Sequence, residues 1–296
     1  MREILRWLWS STVGPVLTRL GVTATPNRGD RRGQPTPAGR PPRVWWVPTG
    51  LLASLPLHAA TAGDHGALDA VVSSVVPTIR SLGYCRRAAP VPLPRRLCLV
   101  LPGPGGTTDG SRLPAARREV AGLRDRFGAE HTDLVAAQAG AAEVLAALPG
   151  HAWAHFACHA RSDLADPSAS RLLLSSPVDG ALTVDRLVRL RADGGELAFL
   201  SACETAVSGP ALADEAVHLA AGFLTAGFGQ VVATLWAVKD PVARRTTDDV
   251  YSGLLAERAT SAPVGAAEAL HRAALAARTR YPDTPTAWAS YVHLGR

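Results

Sequence analysis

From residue 97 onward, short apolar runs alternate with segments of helical period, and this rhythm limits the folds open to the chain. RLCLVLP reads as a strand and PAARREVAGLRDRFG as a helix; TDLV is a short strand and AAEVLAAL a helix. AWAHFAC, ELAFLSA and VVATLWAV follow as strands, separated by the helices TVDRLVRL and DEAVHLAAGFLTAG. Helices over 240–257 and 263–280 and a closing strand WASYVHLG complete the series. Several of these strands are continuously apolar, the mark of a strand buried on both faces. Strands and helices in alternation predict an α/β fold, with a mostly parallel central sheet covered by helices on both sides.

The segment before residue 97 reads differently. MREILRWLWSSTVGPVLTRLG places Leu5, Leu8 and Trp9 at helical spacing, while Ser10, Ser11, Gly14 and Pro15 interrupt it too often for a secretory apolar region. We expect residues 1–25 to form a helix packed on the domain, residues 26–43 a flexible linker, and residues 44–296 the α/β domain itself. VWWVPTGLLASLPLHAA is expected to be a strand, a Pro-Thr-Gly turn and a second short strand.

Charge and apolar content exclude several functions. The formal charge is +6, yet residues 28–43 contain five Arg against one Asp and so hold +4 of it. The remainder is close to neutral, so no nucleic-acid partner is expected. The 23 residues between Glu215 and Lys239 carry no charge and are long enough to span a bilayer. Phe228-Gly229-Gln230 breaks them into a helical part and a β-branched part, which predicts a buried helix and strand, with no membrane partner. Four cysteines without a CxxC pair fit neither a disulfide scaffold nor a zinc ribbon, and a reducing, cytoplasmic setting is expected. GPGGTTDG at 103–110 has no Gly-Lys-Ser/Thr ending, no GxSxG elbow occurs, and no repeat of 20–50 residues is visible. No cofactor and no metal are expected.

In open α/β sheets, reactive groups collect beyond the carboxyl ends of the strands. Two residues answer that description: His159, ending AWAHFACHA, and Cys203, ending ELAFLSACET. If their strands are neighbours about 4.8 Å apart, an imidazole and a thiol can meet there as base and nucleophile. Backbone N–H groups near Ala160 and Cys203 would lie where an oxyanion needs donors. His155 lies inside its strand, on the face opposite Phe156, and reads as a core or supporting histidine. A zinc set of His155, Cys158, His159 and Cys203 has an unusual spacing and is the lesser alternative. Cys85 and Cys98 read as bystanders, and Trp45, Trp46 and Trp236 as core residues.

The His-to-Cys order across 44 residues also suits a caspase-type arrangement. HFACHA and LAFLSACET resemble the two catalytic blocks of CHAT domains, the caspase-like, separase-related cysteine peptidases often joined to TPR repeats. VWWVPTGLLASLPLHAA is similar to the family's opening hairpin, VVSSVVPTIRSL to the segment after it, GFGQVVATLWAVKD to the strand beyond the catalytic cysteine's helix, and WASYVHLG to its closing strand. LWSSTVGPVLTRLG is similar to the helix that precedes the domain.

This resemblance implies a caspase-like three-layer sandwich. It also implies a cysteine endopeptidase with His159 as general base, Cys203 as nucleophile and a protein substrate. Where the family commonly has Gly after the histidine, this chain has Ala160, which a position of φ > 0 would penalise. Relatives in the clan select the residue before the scissile bond with a charged group near the strand ends, and the candidates here are Asp163, Glu204 and Asp240. A role as effector of a bacterial regulatory or defence system is implied as well. Its controlling sensor, TPR or other, would lie in a separate partner or a longer protein, since none is visible in these residues. The reading from a different class is a non-catalytic interaction module that keeps the fold.

Overall fold

The computed structural model describes residues 1–22, 41–63, 65–87, 96–101, 114–128, 131–134, 140–161, 163, 166–174, 179–201, 218–256 and 265–296. The chain opens with α1 (Arg2–Leu8), a π-helical turn and α2 (Gly14–Arg19), then enters β1 (Arg43–Trp46). Next come α3 (Ala67–Ala70), β2 (Val72–Val75), α4 (Ile79–Arg87), β3 (Leu97–Val100), α5 (Pro114–Phe127), β4 (His131–Leu134) and α6 (Ala141–Ala147). β5 (Trp153–Phe156) leads to three short strands, β6 (His159–Arg161), β7 (Arg171–Leu173) and β8 (Ala181–Thr183), and to α7 (Val184–Val188). The last part holds β9 (Leu197–Leu200), α8 (His218–Ala226), β10 (Gln230–Thr234), α9 (Asp240–Ala256), α10 (Ala266–Arg280), α11 (Pro285–Trp288) and β11 (Tyr291–Gly295).

Eight strands form one sheet in the order β1-β2-β11-β10-β9-β5-β3-β4. Every pairing in it is parallel except β10 with β11. β3, β5, β9, β10 and β11 are buried on both faces, and alternate residues feed different cores. Cys98, Val100, Ala154, Phe156, Ala198 and Leu200 pack against α4, α6, α7 and α8. Leu97, Leu99, Trp153, Leu197 and Phe199 pack against α5, α9 and α10. This is a three-layer α/β sandwich, and its continuous apolar runs follow from having helices on both sides.

The N-terminal helical segment docks through Leu5, Leu8, Val13 and Leu17, all essentially inaccessible, onto Trp46, Leu57, Ala274 and Trp288. The charge-free stretch before Lys239 resolves into α8 and β10, and no described helix is long and apolar enough to cross a membrane.

Two sequence expectations require correction. The second short strand expected within residues 51–60 does not form; Gly50–Ser54 and Leu57–Ala59 are 3₁₀ turns. Pro48 and Pro56 have no N–H to give a ladder and Gly50 adopts φ +57°, so the backbone turns and does not extend. β1 instead finds its partner in β2, in parallel, which a hairpin cannot supply. Trp45 is also not a core residue: it is half-buried, with the guanidinium groups of Arg43 and Arg86 4.7 and 4.6 Å from its ring centre. Trp236 is half-buried as well and donates its indole N–H to Thr286 O.

Candidate active site

β5 and β9 are adjacent and parallel, with Trp153 opposite Leu197 and Phe156 opposite Leu200. The offset of 44 residues in this register equals the offset between His159 and Cys203, so each lies three residues past its own paired strand end. Cys203 and Glu204 lie outside the described residues, as does the glycine-rich stretch at 103–110.

β5 ends at Phe156, and His159 opens β6, which pairs antiparallel with β7. His159 is therefore held by a second, three-stranded sheet set on the carboxyl end of the first. Leu172 and Leu182 are buried beneath that small sheet and anchor it to the core. Ala160 sits within β6 opposite Leu172. Strand backbone has negative φ, so the methyl group that replaces the family's usual glycine hydrogen incurs no left-handed strain.

A pocket of about 100 Å³ opens at this end of the sheet, beyond β5, β9 and β10. Ala157, Cys158 and His159 line it from β5, Ser201 from β9, and Thr234, Val238 and Asp240 from β10 and the start of α9. Glu119 of α5 and Tyr291 of β11 complete its inner wall. The location is the crevice beyond strand ends where open α/β sheets bind ligands.

The inner wall is a polar network inside an apolar core. Glu119 is 7% exposed; it accepts a hydrogen bond from Thr247 Oγ1 at 2.6 Å and lies 3.1 Å from His155 Nε2. That last approach is an ion-pair distance, but too oblique to satisfy the imidazole N–H fully. His155 is fully buried, stacks on Phe199 with ring centres 5.1 Å apart, and meets the Tyr251 hydroxyl through Nδ1 at 3.2 Å. A proton on Nε2 suits both neighbours: the tyrosine donates to Nδ1 and the ring faces a carboxylate.

Burial pushes the Glu119 carboxyl up, but the close His155 imidazole and the hydroxyls of Thr247 and Ser201 outweigh it and hold the group below the ordinary glutamate range. Burial and the same carboxylate drive the Tyr251 hydroxyl well above its usual value, so it remains a neutral donor. Burial lifts the Cys158 thiol to about 12, which leaves it protonated and unreactive beside His159. Cys158 also packs in the core opposite the face that His155 serves, so the two do not share a metal-binding cluster.

The specificity candidates separate. Asp240 is exposed, lies in the first turn of α9 and lines the pocket. Asp163 is not among the lining residues: its Oδ1 accepts from Asp166 N–H at 2.9 Å and its own N–H donates to Ser170 Oγ at 2.9 Å, the contacts of a turn former. Sequence reasoning missed Glu119, Ser201 and Thr247. One signal was present: Ala116, Glu119, Val120, Leu123 and Phe127 share one helix face, and an acid within an apolar stripe marks a buried charge.

The fold and the placement of the pocket define a caspase-like α/β protein. A CHAT domain family model matches residues 2–296, and the chain belongs to that family. Among solved structures it is similar to separase of Saccharomyces cerevisiae in its complex with securin, with TM-score 0.57 and 12% identity over 82% of this chain and 15% of that one. It is similar too to the Arg-specific cysteine proteinase gingipain R of Porphyromonas gingivalis, with TM-score 0.54 and 12% identity over 80% of this chain and 56% of that one. The chain thus spans a small part of separase and just over half of gingipain R. No curated protein sequence matched it.

Proposed function

We propose that the chain is a cysteine endopeptidase in which His159 activates the Cys203 thiol against a peptide carbonyl. The observation that carries this reading is the β5–β9 register, which gives both residues the same number of steps beyond two adjacent, paired strand ends. His159 also lines a pocket at that end of the sheet, and membership of the CHAT family agrees with this chemistry.

The reaction runs in two halves. The imidazole accepts the thiol proton, and the thiolate sulfur attacks the carbonyl carbon. Backbone N–H groups of Ala160 and Cys203 stabilise the oxyanion. As the C–N bond breaks, the imidazolium returns its proton to the departing amine. Water, deprotonated by the same imidazole, then cleaves the thioester and regenerates the thiol.

Asp240 at the pocket mouth gives the pocket an exposed negative charge, which suits a cationic residue before the scissile bond. Gingipain R is described as Arg-specific, and the same preference here belongs to this proposal. So does the role of effector in a bacterial regulatory or defence system under a TPR or other sensor. Glu204 remains a further candidate for substrate contact.

The test is to incubate the protein with a peptide library and an electrophilic thiol probe, beside Cys203→Ala. Cleavage and labelling that depend on Cys203 are expected. Labelling of Cys85 or Cys98 in preference to Cys203, with cleavage no greater than the mutant's, would overturn the reading in favour of a non-catalytic interaction module.

A further inference from the structure

The polar groups around the buried Glu119 carboxylate come from different elements. Thr247 belongs to α9, His155 to β5, and Ser201 is the first residue beyond β9. His155 is braced from a second side by Tyr251, one helical turn after Thr247. One side chain on α5 therefore joins the carboxyl ends of two adjacent strands to a helix that packs across them.

Resting on the dyad reading above, we infer that Glu119 is a positioning residue, whose buried carboxylate holds the carboxyl ends of β5 and β9 in place relative to each other and to α9. A buried charge held by several donors resists displacement, because moving any donor away leaves it undersolvated. An apolar side chain could fill the same volume but would not set directions, since apolar contacts are non-directional. Glu119 also lines the pocket with His159 and Ser201, so a shift in its donors is a shift in the pocket wall.

A purely structural carboxylate and a positioning one respond differently to mild substitution. Glu119→Gln keeps the shape but swaps one acceptor for a donor, so the donors around it cannot all be satisfied. Ser201→Ala removes a single hydroxyl and is the variant expected to fold in any event. The measurements are kcat and KM on the best peptide of the library, the pH midpoint of Cys203 alkylation by iodoacetamide, and thermal unfolding of the same samples.

Both variants should lose about tenfold or more in kcat with KM unchanged within about twofold, the pattern of a lost transition-state arrangement. Their alkylation midpoint should rise by about one pH unit toward the ordinary thiol value of about 8.5, because a thiol displaced from its imidazole loses the stabilisation of its thiolate. Ser201→Thr, which keeps the hydroxyl, should restore the wild-type values. Unchanged kcat and unchanged midpoint in Ser201→Ala and folded Glu119→Gln, against a wild type active through Cys203, overturn this inference and leave the peptidase reading standing. A wild type with no cleavage or alkylation specific to Cys203 overturns both.

Discussion

A buried histidine is accommodated differently at the carboxyl ends of β5 and β9 and in the half of the sheet that the N-terminal helices cover. In the half made of β10, β9, β5, β3 and β4, His155 faces a carboxylate and a tyrosine hydroxyl. In the half made of β1, β2 and β11, with the N-terminal helices packed on it, His58, His271 and His293 are buried as well. Burial lowers the pKa of all three, and neighbouring groups that are cationic when protonated lower it further: His271 for His58, Arg278 for His271 and Arg43 for His293. Asp69 and Glu268 only partly offset this for His271. The contrast separates packing from chemistry. His58 and His271 are disfavoured as cations by burial, and His293, though it meets Ser74 Oγ and Gln230 Oε1, lies away from the pocket, whereas His155 stands between a tyrosine hydroxyl and a carboxylate that lines it.

Several experiments can break or sharpen this contrast. The largest effect is expected at the carboxyl ends of the first half: His159→Ala should lower kcat/KM by about 10²–10⁴, measured on a cleaved peptide, with little change in stability. Phe199→Ala, beneath His155 in the same half, should destabilise the fold by about 3–5 kcal/mol in urea titration, since it empties a fully buried aromatic site.

The second half should respond to acid first. His58 has its pKa lowered to about 4, so the unfolded state binds the proton more readily and stability falls as pH drops from about 6.5 toward 4. The share due to His58 should reach about 3 kcal/mol and be removed in His58→Leu, leaving the shares of His271 and His293, as read from urea midpoints against pH. Glu119 is also depressed, but its contribution is present above the ordinary glutamate value of 4.5 and is lost only as pH falls below it. Hydrogen exchange at pH 5 should therefore accelerate in α1, α2 and residues 50–60 before it does in β5 and β9. A uniform acceleration across both halves would refute the comparison. The smallest effect is expected at the exposed pair of Arg189 and Asp185, one turn apart on α7 and its end, where Arg189→Ala should leave the unfolding midpoint unchanged within error.

How far the chain could be read in advance follows from the range of each interaction. β3, β5, β9 and β10 were legible because two-sided burial leaves an unbroken apolar run, and α5, α9 and α10 because each keeps an apolar stripe. The turns at 50–59 were not, since a Pro-rich apolar segment satisfies a strand pattern until its missing donors are counted. His159 was legible as a residue beyond a strand, but its seat in β6 depends on Leu172 and Leu173, more than ten residues further on.

The periods, the breaks and the 44-residue interval between His159 and Cys203 are local properties of the chain, and the sequence by itself determined them together with the family. Tertiary structure alone decided that β5 lies beside β9, that Glu119 reaches His155 across 36 positions and Thr247 across 128, and that Asp240 and not Asp163 borders the pocket. The reason is physical. Burial patterns arise from single residues and their near neighbours, whereas strand order and the donors around a buried charge are chosen by packing between segments far apart in the chain.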